Sequence, residues 1–391
     1  MKRGVALAAL GAAGLAALPF LAEVRVRRAV QPQSGLWPEM AVEPCRGTRL
    51  GLSYRPLQAE ALGLDGSVAL AALLAEPFDV IRLGAYWDRI EPRAGAFETA
   101  ALDRQVEAAE RAGKQIVLCV GAVKAFGYPE FFVPAHQLPE SLPEGSLISL
   151  TTHPDLLAAA VEFVSRVVER YRDCPAIIAW QVEQDAVDPL GLEHSWRLAR
   201  DFVAAEVSAT QRADGARPVL LNGFVATSRA VRWQQRWRTR GQGDSLAVAP
   251  ELADVVGLDI YPRHALLGRG GLSVYLSGSP SRRALAGVAS RRVMVTEGQA
   301  EPWEAVTTPP DPRSGTMYSC PPERMLENYN NCLRWSRRAG LELEAYLFWG
   351  AEYWLRRQRS GDPSYLKLFR RILEAARTSP GPGTPRTEPG D

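Results

Sequence analysis

Eight short β-rich apolar runs recur along the chain, and longer amphipathic or alanine-rich segments separate them; this alternation restricts the fold more than any other feature. The runs occupy 49–54 (RLGLSY), 79–84 (DVIRLG), 115–121 (QIVLCVG), 176–181 (AIIAWQ), 218–222 (PVLLN), 255–261 (VVGLDIY), 292–297 (RVMVTE) and 344–349 (EAYLFW). Helical patterns read clearly over 99–112, 153–171, 195–213, 322–340 and 363–376, and Gly113 supplies a stop before the third run. Repeated strand–helix units build a parallel sheet, and eight of them close it into a (β/α)8 TIM barrel. An open doubly wound sheet is the alternative, but no G-x-G-x-x-G follows the first run and no Walker A loop is present. The pattern predicts one domain over 45–376.

Outside that span, the N-terminus has Lys2 and Arg3, an uncharged stretch over 4–22, then Glu23, Arg25, Arg27 and Arg28. Residues 1–30 therefore read as a signal peptide or a membrane anchor, with an N-terminal structural helix as the third reading. The basic cluster on the far side opposes the positive-inside rule for an N-in anchor. The expectation is a cell-envelope protein, anchored or secreted, with membrane association through 4–22. Residues 377–391 carry too few apolar side chains to fold alone and read as a flexible tail.

With 46 basic and 44 acidic side chains, the net charge of +2 provides no field that would gather nucleic acid. Specificity must come from a local site. Five cysteines without a C-x-x-C pair and four scattered histidines suggest neither a zinc framework nor a disulfide scaffold. No metal or organic cofactor is called for, and nothing in the sequence sets an oligomeric state.

In such a barrel, chemistry sits where strands end at the C-terminal face. The residues there are Tyr54, Arg82 with Trp87, Gln184 with Asp185, Tyr261, Glu297 and Trp349. Asp185 after the fourth strand and Glu297 after the seventh are the paired carboxylates that glycosidic bond cleavage uses. Aromatic rings suit the apolar C–H faces of sugars. If the fourth strand continued unbroken, alternation would place Gln181, Glu183 and Asp185 on one face, making Glu183 a second candidate acid.

The segments 82–97 (RLGAYWDRIEPRAGAF), 178–185 (IAWQVEQD), 257–262 (GLDIYP), 293–303 (VMVTEGQAEPW) and 347–350 (LFWG) resemble the retaining glycoside hydrolases of clan A. The nearest types are the family 42 β-galactosidases and the cellulase-like families 5 and 35, and the resemblance runs from about residue 48 to 376. It implies hydrolysis of O-glycosidic bonds in an oligo- or polysaccharide without a cofactor. It also implies Glu297 as nucleophile, Tyr261 as the tyrosine that orients it and Arg82 as the arginine beneath it, whose charge favours the carboxylate form. Trp349 matches the aromatic floor of the subsite holding the reacting sugar, and Trp87 and Gln184 fall among the implied sugar contacts.

The fourth strand departs from the family pattern. Where family 42 has W-Q-x-x-N-E, this chain has Trp180, Gln181, Val182, Glu183, Gln184 and Asp185. Asp retracts the carboxyl by about 1.5 Å, one C–C bond, and Gln is one methylene longer than Asn. Three readings follow: Asp185 is the acid/base, Glu183 replaces it, or the chain is a tethered carbohydrate-binding pseudoenzyme. A transglycosylase would share the carboxylates while excluding water.

Ordinary structural roles compete with these assignments. Arg82 could be an interior ion-pair partner, Tyr261 and Trp349 core aromatics, and Trp180 reads as packing. The long loop 123–139, with Lys124, Phe126, Tyr128, Phe131 and Phe132, is either a set of subsites or a packed lid. Trp233 and Trp237, with Arg232, Arg236, Arg238 and Arg240, read as a solvated or membrane-facing helix surface. Residues 243–246 spell GDSL, a serine esterase signature. No apolar strand immediately precedes it and the last histidine is His264, so the motif is set aside.

Overall fold

The computed structural model describes residues 22–28, 37–188, 194–239, 242–269, 272–304 and 318–378. The expected leader, apart from its last residues, and the tail from 379 onward lie outside them. Among the described residues no helix is long and apolar enough to cross a membrane.

All eight expected runs form strands: β1 (Arg49–Ser53), β2 (Val80–Gly84), β3 (Gln115–Cys119), β4 (Ile177–Gln181), β5 (Val219–Phe224), β6 (Val255–Ile260), β7 (Arg292–Gln299) and β8 (Leu343–Trp349). They pair in parallel with their sequence neighbours, and β8 pairs with β1 to close the barrel. The interior is filled by Val80, Val117, Ala179, Leu220, Val255, Met294, Ala345 and Leu347, drawn from seven strands and all buried. A larger cluster joins the outward faces of the strands to the surrounding helices.

The helices follow from apolar spacing. In Pro154–Tyr171 the buried positions Leu156, Leu157, Ala160, Phe163, Val164, Val167, Val168 and Tyr171 recur every three or four residues, and proline occupies the first turn. Helix Ala100–Arg111 ends just before Gly113, whose φ of +68° lets the chain turn into β3. The segment expected to be helical from 195 begins as Arg200–Ala213. Upstream, Arg197–Leu198 pairs instead with Leu147–Ile148, held there as Glu144 accepts from Ser195 N at 2.7 Å.

Two boundaries move. Val24–Arg28, expected within the leader, is a strand lying antiparallel to Leu272–Ser277, which in turn pairs with Arg263–Arg269 outside the barrel. Helix Ser364–Thr378 continues two residues past the expected end of the domain. The GDSL motif is a helix start. Asp244 accepts from Ala247 N and caps helix Ser245–Leu252, while the buried Ser245 Oγ accepts from Val187 N at 3.1 Å.

Truncating Leu347 to Ala removes atoms from the filled interior layer and should destabilise the protein by about 2–5 kcal/mol. Urea unfolding followed by far-ultraviolet circular dichroism measures this.

Candidate active site

The C-terminal ends of the strands converge on a buried guanidinium. Arg82, at the centre of β2, has no solvent exposure. Its Nε donates to Gln181 Oε1 at 2.7 Å, Nη1 to Glu297 Oε1 at 2.8 Å, and Nη2 to Gln184 Oε1. The Phe126 ring lies 4.0 Å below the guanidinium carbon. Burial opposes the charge, but Glu297 and Asp259 more than offset this and raise the arginine above its usual value.

Glu297 is held at both oxygens. Arg82 takes Oε1, and Tyr261 donates its hydroxyl to Oε2 at 2.5 Å. Burial, followed by the nearby Glu297 charge, raises Tyr261 well above the ordinary phenol range, so it remains a donor. Thus Arg82, Tyr261 and Glu297 come together in the arrangement the sequence implied.

A polar layer beneath these groups was not read from the sequence. Asp259 on β6 accepts from Gln184 Nε2 at 2.9 Å and from Asn222 Nδ2 at 2.5 Å through Oδ2, and from Thr296 Oγ1 at 2.6 Å through Oδ1. Asn222 also donates to Gln184 Oε1 at 2.7 Å. Burial first, then the charges of Glu297 and Asp185, raises Asp259 well above the usual carboxylate range. The available signal was the presence of Asn222 and Asp259 within otherwise apolar strand runs, where a polar side chain needs a buried partner. Gln184 accounts for its extra methylene here, since the longer side chain reaches down to Arg82, Asn222 and Asp259.

The Asp185 side chain stands apart from this layer, although its backbone N donates to Asn222 Oδ1 at 3.3 Å. Its backbone is left-handed, with φ +43°, and its Oδ1 is buried without a hydrogen-bond partner. Lys124 Nζ donates to the Asp185 carbonyl at 2.9 Å and to that of Asp188 at 3.1 Å, pinning this turn from the loop after β3. Burial, then the Glu297 charge, pushes the Asp185 carboxyl up to about 7, against the opposing pull of Lys124 and Arg82.

Glu183 takes a different direction from the one alternation predicts. β4 ends at Gln181, and Glu183 is itself left-handed, with φ +55°. Gly121 makes this possible, because a Cβ there would lie 2.0 Å from the Glu183 nitrogen. The Glu183 carboxylate turns behind the wall, accepting from Val123 N at 2.9 Å and from Lys124 N. Its other partner is Glu206, whose carboxyl is raised well above its usual value by burial and by the Glu183 charge. Glu183 therefore does not line the cavity and organises the loop that carries Lys124. Trp87 is also displaced from the expected sugar contacts. It starts the short helix Trp87–Ile90, stacks on Phe163 at 5.4 Å and donates to Glu91 at 2.8 Å, fully buried.

The resulting cavity holds about 680 Å³. Asp185, Gln184 and Glu297 form its floor with Tyr261 and Trp349, and Trp303, Phe224 and Tyr128 add aromatic walls. Trp303 lies 4.6 Å from Tyr261. Arg55 covers Trp349 at 4.2 Å while tied to Glu352 and Glu301 at 2.6 and 2.8 Å. In the 123–139 loop, Phe126 and Phe132 are packed inside, whereas Tyr128 faces the cavity. Among the described residues, no cluster of His, Cys, Asp and Glu could hold a metal ion.

Residues 73–202, about a third of the chain, match the family 42 glycoside hydrolase model, described as beta-galactosidase. A GH10 endoxylanase retrieved from a sugarcane soil metagenome has a similar fold, with a TM-score of 0.50 and 16% identity over 78% of this chain and 86% of the other. A GH5_18 variant from Streptomyces cattleya, in complex with Manb1-4GlcNAc, also has a TM-score of 0.50, with 17% identity over 88% of this chain and 86% of that one. Comparison with curated proteins gave no match. Over residues 73–202 the chain thus resembles the family 42 glycoside hydrolases, and its closed parallel barrel is the fold it shares with these solved structures.

Because the folded Asp185 titrates at about 7 rather than the ordinary 3.8, the native state binds its proton more tightly than the unfolded chain does. Stability therefore declines as pH rises from about 3.8 to about 7, and the loss persists above that. Asp185→Asn removes the loss. The variant should melt above wild type at pH 8, and the gap should close as pH falls towards 4, as measured by thermal unfolding across that range.

Proposed function

We propose that the protein hydrolyses O-glycosidic bonds of an oligo- or polysaccharide with retention of configuration, using Glu297 as nucleophile and Asp185 as acid/base. The contrast between the two carboxylates carries this reading. Glu297 is fixed at both oxygens by Arg82 and Tyr261, whereas Asp185, which lines the same cavity, has a buried oxygen without a hydrogen-bond partner and a carboxyl raised to about 7. A fixed carboxylate suits attack, and a carboxyl half-protonated near neutrality suits proton transfer.

In the first step a Glu297 oxygen bonds to the anomeric carbon as the bond to the leaving oxygen breaks, and Asp185 gives that oxygen its proton. The ester then has no charge. One of the two causes holding Asp185 up disappears, so its carboxyl ionises more readily and can accept a proton from water. That water attacks the anomeric carbon, breaks the ester and restores Glu297 as carboxylate and Asp185 as acid. Tyr261 and Arg82 receive the returning charge. Trp349, Trp303 and Tyr261 offer ring faces to the sugar, and Gln184, anchored below, keeps part of its amide at the cavity floor.

The uncharged stretch 4–22 supports a location at the cell envelope. The substrate is then a glycan met outside the cytoplasm.

Screening fluorogenic glycosides, with trapping by an activated 2-fluoro glycoside and mass spectrometry, tests the assignment. A covalent adduct on Glu297 is expected, and Glu297→Gln should abolish both adduct and turnover. Unchanged turnover in that variant would remove Glu297 from the mechanism. Binding of oligosaccharides without turnover on any of them would instead make the chain a carbohydrate-binding protein.

Asp185→Asn should lower kcat/KM by about 10²–10⁴ on substrates with poor leaving groups. The wild-type rate should decline as pH rises through about 7, where Asp185 loses its proton, and the variant should lose that limb. A kcat/KM profile from pH 4 to 9 reads both.

A further inference from the structure

Helix Arg229–Thr239 stands at the cavity rim and has three faces. One is buried through Gln235 and Thr239, with Gln235 Nε2 3.4 Å from Asp188. A second, formed by Ala230, Val231, Gln234 and Arg238, lines the cavity. The third carries Arg229, Trp233, Arg236 and Trp237 at the i, i+4, i+7, i+8 spacing of a single stripe, and all four are exposed. Trp233 and Trp237 are each 66% exposed. The helix contains Arg229, Arg232, Arg236 and Arg238 and no acidic side chain. Neither core nor cavity accounts for two open indoles set among these arginines. Amphipathic rings flanked by cations suit the headgroup zone of a bilayer, where one side of the ring is apolar and the other wet.

Glu23 accepts from Ser228 Oγ at 2.8 Å and from Arg229 N at 2.8 Å, at the first turn of this helix. Val24–Arg28 then pairs with Leu272–Ser277, and Ser277 N donates to the Glu23 carbonyl at 2.9 Å, fixing the entry point. The chain immediately before it, 4–22, has no charged side chain and is of the length that spans a bilayer core, roughly 20 residues. An apolar segment thus joins the domain beside a helix that, alone among the described residues, shows water a tryptophan pair.

We propose that the Arg229, Trp233, Arg236, Trp237 face docks on an anionic lipid bilayer, with the indoles among the headgroups and the guanidinium groups on lipid phosphates. Residues 4–22 bring the surface within reach, and the arginines favour anionic over neutral lipid. The same helix walls the cavity, so docking holds the cavity rim at headgroup level. The proposal does not depend on the glycosidase reading, because its readout is lipid contact.

The test uses the full-length protein with phosphatidylcholine vesicles, with and without phosphatidylglycerol, whose acyl chains are brominated near the headgroup. Tryptophan emission should be quenched on the anionic vesicles, and Trp233→Ser with Trp237→Ser should remove most of that quenching. Arg236→Glu, a charge reversal at the centre of the face, should lower the ratio of docked to undocked protein by about tenfold or more. Turnover of a soluble glycoside should be unchanged in both variants. Equal quenching in wild type and the tryptophan variant, or equal quenching on neutral and anionic vesicles, overturns the proposal. Lipid-independent self-association in sedimentation velocity that the tryptophan variant loses would also overturn it, assigning the face to a second copy of the chain.

Discussion

The ion pair between Arg82 and Glu297 joins strands that are far apart in sequence and organises the top of the barrel around one positive charge. Everything placed near it answers to that charge. Gln181 and Gln184 present their carbonyl oxygens to the guanidinium, and the amide of Gln184 turns to Asp259. Asn222 and Thr296 complete the carboxyl of Asp259. A buried guanidinium left unpaired would be strongly destabilising, so these partners form one requirement of the fold as well as of the site. The cost is borne where strand ends leave polar atoms within reach of one another, and there the barrel also opens to its cavity.

The barrel was legible in the sequence because its signals repeat. Eight apolar runs alternating with helical segments survive errors in any single boundary, and each reappears as a strand within a few residues of its expected limits. The site was legible where the resemblance to known motifs fell on strand ends, as for Arg82, Tyr261, Glu297 and Trp349. It was not legible after β4, where Glu183 and Asp185 both adopt positive φ. Alternation applies only while the backbone remains extended. Here a close approach between Gly121 and Glu183 replaces it, sending one carboxylate behind the wall and leaving the other in the cavity.

Trp87 failed for a related reason. Its nearness in sequence to the end of β2 suggested the cavity, yet it begins a helical turn that directs the indole onto Phe163. Val24–Arg28 was hidden by the apolar stretch before it, since its pairing partner lies about 250 residues away and local pattern carries no such information. Asp259 and Asn222 were visible as polar residues in apolar runs, but which groups would satisfy them depends on the register of three strands.

The arrangement also determines how the floor of the cavity stores protons. Three carboxyl groups, those of Asp185, Asp259 and Glu297, surround a single guanidinium, and two of them are pushed upward by burial and by the others. Arg82 pairs with Glu297, and Asp185, raised to about 7, carries a proton below that pH. The floor therefore gains negative potential as Asp185 loses its proton. A guest that brings its own positive charge can take the place of a stored proton. Sugar-shaped amines should accordingly bind better as the solution becomes more alkaline, until the amine itself deprotonates, whereas a neutral sugar of the same shape gains nothing from that change.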